Sequence, residues 1–174
     1  MKPVITPSDT EIFFQENDLI VSKTDLKGRI TYANQTFCRI AGYSEAELLG
    51  QPHSIIRHPD MPRAVFKLLW DTLIEGREIF AYVKNMAKSG DYYWVFAHVT
   101  PSFDKDRNII GFHSNRRVPE PKIVKNTIVL LYAAVLNAER QHQNGQKALA
   151  AGFDFVVDFL KSQGTSYDAL VFSL

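Results

Sequence analysis

The chain has 174 residues, of which 45% are hydrophobic, 12% aromatic and 22% charged. That is enough apolar material for one core without disulfides or a structural metal, and it excludes a largely disordered or coiled-coil chain. With 20 Lys and Arg against 19 Asp and Glu the formal charge is +1, so nothing in the balance calls for nucleic acid or an anionic membrane as partner.

Residues 1–17 open with prolines and carry the cap signal Thr6-Pro7-Ser8-Asp9 before Ile12, Phe13 and Phe14, which predicts a short, loosely attached helical flap. Two β-rich runs, 19–24 and 29–34, flank the turn Asp25-Leu26-Lys27-Gly28 and predict a hairpin. Phe37, Cys38, Ile40 and Ala41 then make one apolar helix face that Gly42 ends. Ser44-Glu45-Ala46-Glu47 starts a second short helix, stopped by Gly50. Residues 51–62 contain Pro52, Pro59 and Pro62, which break any long element, and after Pro62 the apolar residues from Val65 to Ile74 return to helical spacing.

Three strands are predicted next, at 78–86, 91–101 and 109–117, separated by Ser89-Gly90 and by the polar turn 104–108. The order β-β-α-α-α-β-β-β is that of an α+β fold, a five-stranded antiparallel sheet with its helices grouped on one face. Alternation in 91–101 sends Tyr93, Val95, Ala97 and Val99 to one side and Tyr92, Trp94, Phe96 and His98 to the other. Both faces are apolar or aromatic, so the outer one requires a cover: the flap, the C-terminal segment or a second copy. Past Pro119 and Pro121 the pattern is helical to about His142, again at about 146–161, and in a terminal piece from Tyr167. The chain thus divides into a flap (1–17), a domain (18–118) and a helical extension (119–174).

Cys38 is the single cysteine and closes no intrachain disulfide, no secretory leader precedes Asp18, and the longest apolar run (128–136) is far shorter than the roughly 20 residues of a membrane span. These features predict a cytoplasmic protein. Chemistry-bearing residues concentrate in His53-x4-His58-x-Asp60 with Arg57 between. The spacing fits no zinc pattern, so no metal site is expected. Two readings stand: the histidines satisfy loop backbone groups, or Arg57 supplies a planar fork for phosphate with Asp60 accepting from a ligand N–H or hydroxyl. Glycine-rich phosphate loops are absent, which excludes most dinucleotide dehydrogenases and P-loop enzymes. Cys38 has no base beside it in sequence, no catalytic residue emerges, and an enzyme is not expected.

The run from Thr24 to Asn34, with Phe37, Gly42-Tyr43 and Glu47-Leu48-Leu49-Gly50, resembles a PAS sensory domain, whose topology is the order already read. Gly50-Gln51-Pro52-His53, Arg57-His58-Pro59-Asp60-Met61-Pro62, Leu69-Trp70, Val83-Lys84-Asn85 and Tyr93-Trp94-Val95 resemble more specifically the PAS domains of bacterial aerotaxis and energy-taxis receptors. The resemblance implies non-covalent FAD, redox or oxygen sensing, and signalling to a chemotaxis transducer through protein contacts. Its flavin-associated positions fall on Asn34, His53, Arg57, His58, Asp60, Phe66, Trp70, Asn85 and Tyr93. The two apolar sheet faces predict a homodimer, through the sheet face or flanking helices, and a change of charge at the flavin is expected to be answered by the strands of Asn85 and Asn115. The chain departs from the family at Ile79-Phe80, where a Trp and a small residue are usual. Two alternatives stand beside FAD: a haem PAS sensor ligated by His53, His58, His98 or His113, and a cofactor-free dimerisation module. With no membrane or signalling region after the soluble helices, docking on a separate transducer is expected.

Overall fold

A computed structural model describes residues 5–174; the first four residues of the expected flap lie outside it. The elements follow in chain order as β1 (Ile20–Thr24), β2 (Ile30–Ala33), α1 (Gln35–Ala41), α2 (Glu45–Leu48), a 3-10 turn (His53–Ile56), α3 (Arg63–Ile74), β3 (Ile79–Met86), β4 (Tyr92–Phe103) and β5 (Ile109–Arg117). The strands form one antiparallel sheet in the order β2-β1-β5-β4-β3. Local chemistry sets the helix limits. Asn34 caps α1 by accepting the Phe37 N–H, Gly42 ends it in the left-handed region, and Ser44 with Glu47 forms a capping box on α2.

Register places Ile20, Ser22 and Thr24 of β1 opposite Arg116, Ser114 and Phe112 of β5, and Ala97 and Val99 of β4 opposite the same Arg116 and Ser114. Because side chains alternate along each strand, these residues share the inner face with Ile79, Ala81, Val83 and Asn85 of β3. Helices α1 and α3 cover that face, and Phe37, Leu73, Tyr93 and Val95 are fully buried beneath them.

The outer face is covered by the chain's own C-terminal segment, one of the covers that the two-sided apolar strand requires. Here α4 (Pro121–Ile123) continues through a π-helical turn (Val124–Ile128) into α5 (Val129–Arg140). Buried Tyr132 of α5 donates its hydroxyl hydrogen to the Tyr82 carbonyl at 2.6 Å and lies against Trp94. After a turn capped by Asn144, α6 (Gly145–Ser162) returns along α5 and packs on α3, and α7 (Tyr167–Ser173) sets Phe172 against Phe80 at the β3 edge.

Glu139, near the end of α5 and only 6% exposed, accepts the N–H groups of Arg63 and Ala64 at 3.1 and 2.8 Å. Pro62 has no side-chain acceptor to cap α3, so a residue far along the chain supplies the cap. Gly152 of α6 lies opposite; a Cβ there would come within 2.6 Å of the Glu139 side chain. The clasp joins the three helices.

The N-terminal segment departs from expectation. Residues 5–19 contain no helix; Thr10 and Ile12 exchange backbone hydrogen bonds with Tyr92, so the segment runs extended and parallel to the start of β4. Phe14 meets Tyr93 edge-on with ring centroids 6.5 Å apart. The unpaired N–H and C=O of Tyr92 outcompete the weak helical propensity of a segment with Pro7 and β-branched Thr and Ile residues.

Candidate functional site

Between α3 and the inner sheet face lies a cavity of about 380 Å³, within the size range of small-molecule and cofactor sites. One wall is aromatic. Phe66 and Trp70, one turn apart on α3, line it, and Trp70 meets Phe112 of β5 edge-to-face at 5.2 Å. Gly28, at φ +73°, closes the approach to Trp70, whose ring would lie 3.2 Å from a Cβ at that position. Only glycine satisfies both the left-handed backbone and the short contact without strain.

The other wall is polar and is built by the proline-punctuated segment. The His53 N–H donates to the Gly28 carbonyl and the Ile30 N–H to the Gln51 carbonyl, which pairs Pro52 with Arg29, and Arg57 pairs with Asn85 in a second isolated bridge, so His53 and Arg57 face the cavity alongside Asn85. Arg57 stacks on Phe66, with its guanidinium carbon 4.3 Å from the ring centroid, and donates to the Met61 carbonyl. The Asn85 amide nitrogen is buried without a hydrogen-bond partner.

At the inner end, Arg116 Nη2 donates to Ser22 Oγ at 2.6 Å, and Ser22 in turn lies 3.1 Å from His53 Nε2. A guanidinium has only donors, so the Ser22 hydroxyl accepts from it, and the direction of the second hydrogen bond, between Ser22 and His53 Nε2, follows the tautomer of the ring. Desolvation in the cavity wall, with the positive charge of Arg116 adding to it, pushes the pKa of half-buried His53 down to about 3, so the ring is neutral. Arg116 remains charged: burial lowers it only to about 10. Lys27, Arg57 and Arg116 line the cavity and, among the described residues, no carboxylate does. A cavity of this sign and lining accepts a planar ligand rich in acceptor atoms or negative charge.

His53, Arg57, Phe66, Trp70 and Asn85 of the nine expected positions are thus brought together. Asn34, His58, Asp60 and Tyr93 are not at the cavity wall. Asn34 is structural: its side-chain oxygen accepts from Val21 and Phe37 and its amide donates to Leu19, tying α1 to β1. His58 is buried behind the wall, with Nδ1 accepting the Asp60 N–H and Nε2 unpartnered. Asp60 is directed outward and pairs with Lys84 at 3.0 Å. Tyr93 is buried under the sheet with its hydroxyl unpartnered.

Arg116, Ser22 and Ser114 were missed by sequence reasoning. Alternation from Phe112 was the available signal, since it puts Ser114 and Arg116 inward and Asn115 on the opposite face, where Asn115 pairs with Val21 and His98. Phe80 also lies on that opposite face, its ring parallel to His98 at 4.1 Å, so it does not enter the cavity in place of the family's Trp. Of the histidines weighed as haem ligands, His53 alone is at the cavity among the described residues.

Comparison with known proteins agrees with this architecture. A family profile described as "PAS fold" matches residues 30–116. The chain is 40% identical over 148 residues to the aerotaxis receptor of Escherichia coli (strain K12), a match covering 84% of this chain and 28% of that protein. It is 33% identical over 100 residues to the nitrogen fixation regulatory protein of Klebsiella pneumoniae, covering 56% of this chain and 20% of that one. The chain therefore spans well under a third of these relatives. Among solved structures, the light-state LOV domain of the blue-light photoreceptor Aureochrome1 superposes with a TM-score of 0.55 at 21% identity, covering 65% of this chain and 89% of that one. Five antiparallel strands with α1 to α3 on one face, the profile match and the extended identity to the aerotaxis receptor lead to one assignment: the chain belongs to the PAS family, in the group of the aerotaxis-receptor PAS domain.

Proposed function

We propose that this protein is a cytoplasmic redox or oxygen sensor that binds FAD in the cavity between α3 and the sheet and signals to a chemotaxis transducer by protein contacts rather than by turnover. One observation carries the reading: an aromatic slot walled by Phe66 and Trp70 is also lined by Asn85 and Arg116, two residues with buried donors that have no hydrogen-bond partner among the described residues. Buried donors are satisfied in folded proteins, and an occupant with carbonyl and ring-nitrogen acceptors satisfies these. Bound flavin supplies reversible electron uptake. Phe66 and Trp70 would hold its ring by apolar contact, Asn85 by hydrogen bonding, and half-buried Arg57, stacked on Phe66, would supply charge for its phosphates.

Transmission follows from what the walls are attached to. Helix α3 faces the cavity on one side and α6 on the other, and its first turn is held by Glu139 of α5. A change in charge or hydrogen bonding at the ring alters the hold of Asn85, Arg116 and α3 on their ligand, and so alters the C-terminal helices. Helices α5 and α7 cover the outer sheet face at Tyr82, Trp94 and Phe80, so a homodimer or a transducer docks on the helices rather than on those strands.

Titration of ligand-free protein with FAD and riboflavin tests the reading. FAD is expected to bind at least about tenfold more tightly, because riboflavin lacks the phosphates that Arg57 would meet. Equal affinities, or no binding of either, would contradict it. Hydrogen exchange in the oxidised and reduced states tests the transmission, with altered protection expected in α3 and α5 and identical protection counting against it.

A further inference from the structure

The inner end of the cavity holds a charge with no counter-charge. Arg116 is 2% exposed, and of its three guanidinium nitrogens only Nη2 has a partner, Ser22 Oγ; Nε and Nη1 have none. Its guanidinium carbon lies 4.4 Å from the centroid of the Phe37 ring. A buried cation with one neutral acceptor and two unpartnered nitrogens is an unfavourable arrangement for a core, and it persists where something else completes it. Neighbouring His53 is neutral and brings no charge of its own. Arg57, the other arginine of the cavity, is already engaged with Phe66 and the Met61 carbonyl.

Resting on the flavin reading above, we infer that Arg116 receives the electron-rich edge of the ring and sets the potential at which this sensor switches. Bound flavin would supply reversible uptake of two electrons and one proton from a two-electron donor, and Arg116, through its N–H groups without partners, would hold the net negative charge that this uptake adds. The reduced ring is held more tightly than the oxidised one, and tighter binding of the reduced form raises the midpoint potential. The two arginines thus divide the ligand: the inner one reads the redox state of the ring, the outer one holds the phosphate arm.

The test is the midpoint potential of FAD-loaded wild type, R116Q and R116K, measured by dithionite titration against reference dyes, with circular dichroism to follow folding. R116Q is expected to lose at least about tenfold of the preference for reduced over oxidised FAD, which lowers the potential by about 30 mV for a two-electron couple; R116K is expected to remain closer to wild type. Loss of flavin from R116Q with retention by R116K also supports the assignment, since charge is then what holds the ligand. A potential in R116Q equal to that of wild type overturns it, as does loss of flavin or of fold from both variants alike, which would make Arg116 part of the scaffold. Wild-type protein that takes up no FAD would instead overturn the flavin reading itself, a result separate from either of these.

Discussion

His53 shows how one half-buried side chain gives the fold a pH dependence. Its folded pKa, about 3, lies below the ordinary 6.5 because desolvation and Arg116 disfavour the charged ring. The unfolded chain binds the proton that the folded chain refuses, so the contribution to stability is fully present above about pH 6.5 and is lost as the pH falls toward 3. Across that window stability is expected to drop by up to about 1.4 kcal/mol per pH unit from this group. Burial lowers His58 as well, with Lys84 adding to the effect, which steepens the loss. Denaturant melts at several pH values check this: H53Q should flatten the slope, and an unchanged slope would place its origin elsewhere. For ligand binding, R57A is expected to weaken FAD by about tenfold or more, read by fluorescence titration, through loss of a charge-assisted contact and of its stacking on Phe66.

Helix α3 is the element on which the account turns, because it walls the cavity and is capped from outside its own sequence. E139A removes the acceptor for two N–H groups and is expected to cost about 1–3 kcal/mol in denaturant unfolding. Gly152 supplies a sharper test. G152A places a methyl group against Glu139 and is expected to destabilise the wild type, although alanine is the better helix former by about 1 kcal/mol. In the E139A background the obstruction is gone, and the same substitution is expected to be neutral or stabilising. Additive effects in that double-mutant cycle would contradict the clasp. None of this was legible in the sequence, because a cap supplied from so distant a position leaves no local pattern.

At the scale of the whole molecule, the sheet order and the helices were legible because periodicity, glycine stops and proline breaks act locally; Gly42, Gly50 and Pro62 each mark a boundary that the structure keeps. The N-terminal segment was misread as helical because its pairing with Tyr92 depends on a distant strand. The cavity was half legible. His53, Arg57, Phe66, Trp70 and Asn85 converge as the family resemblance implied, whereas Arg116 required the register of β5 against β1 and β4. Asp60 and His58 lie in the most distinctive stretch of sequence, yet they brace the wall from behind through Lys84 and the Asp60 backbone. Whether the cavity between α3 and the sheet holds a flavin is decided by the visible absorption spectrum of freshly purified protein, followed by denaturation and identification of the released molecule. The expected result is the two-banded flavin spectrum with FAD released; a sharp Soret band, or a colourless protein that takes up no added FAD, would overturn the assignment.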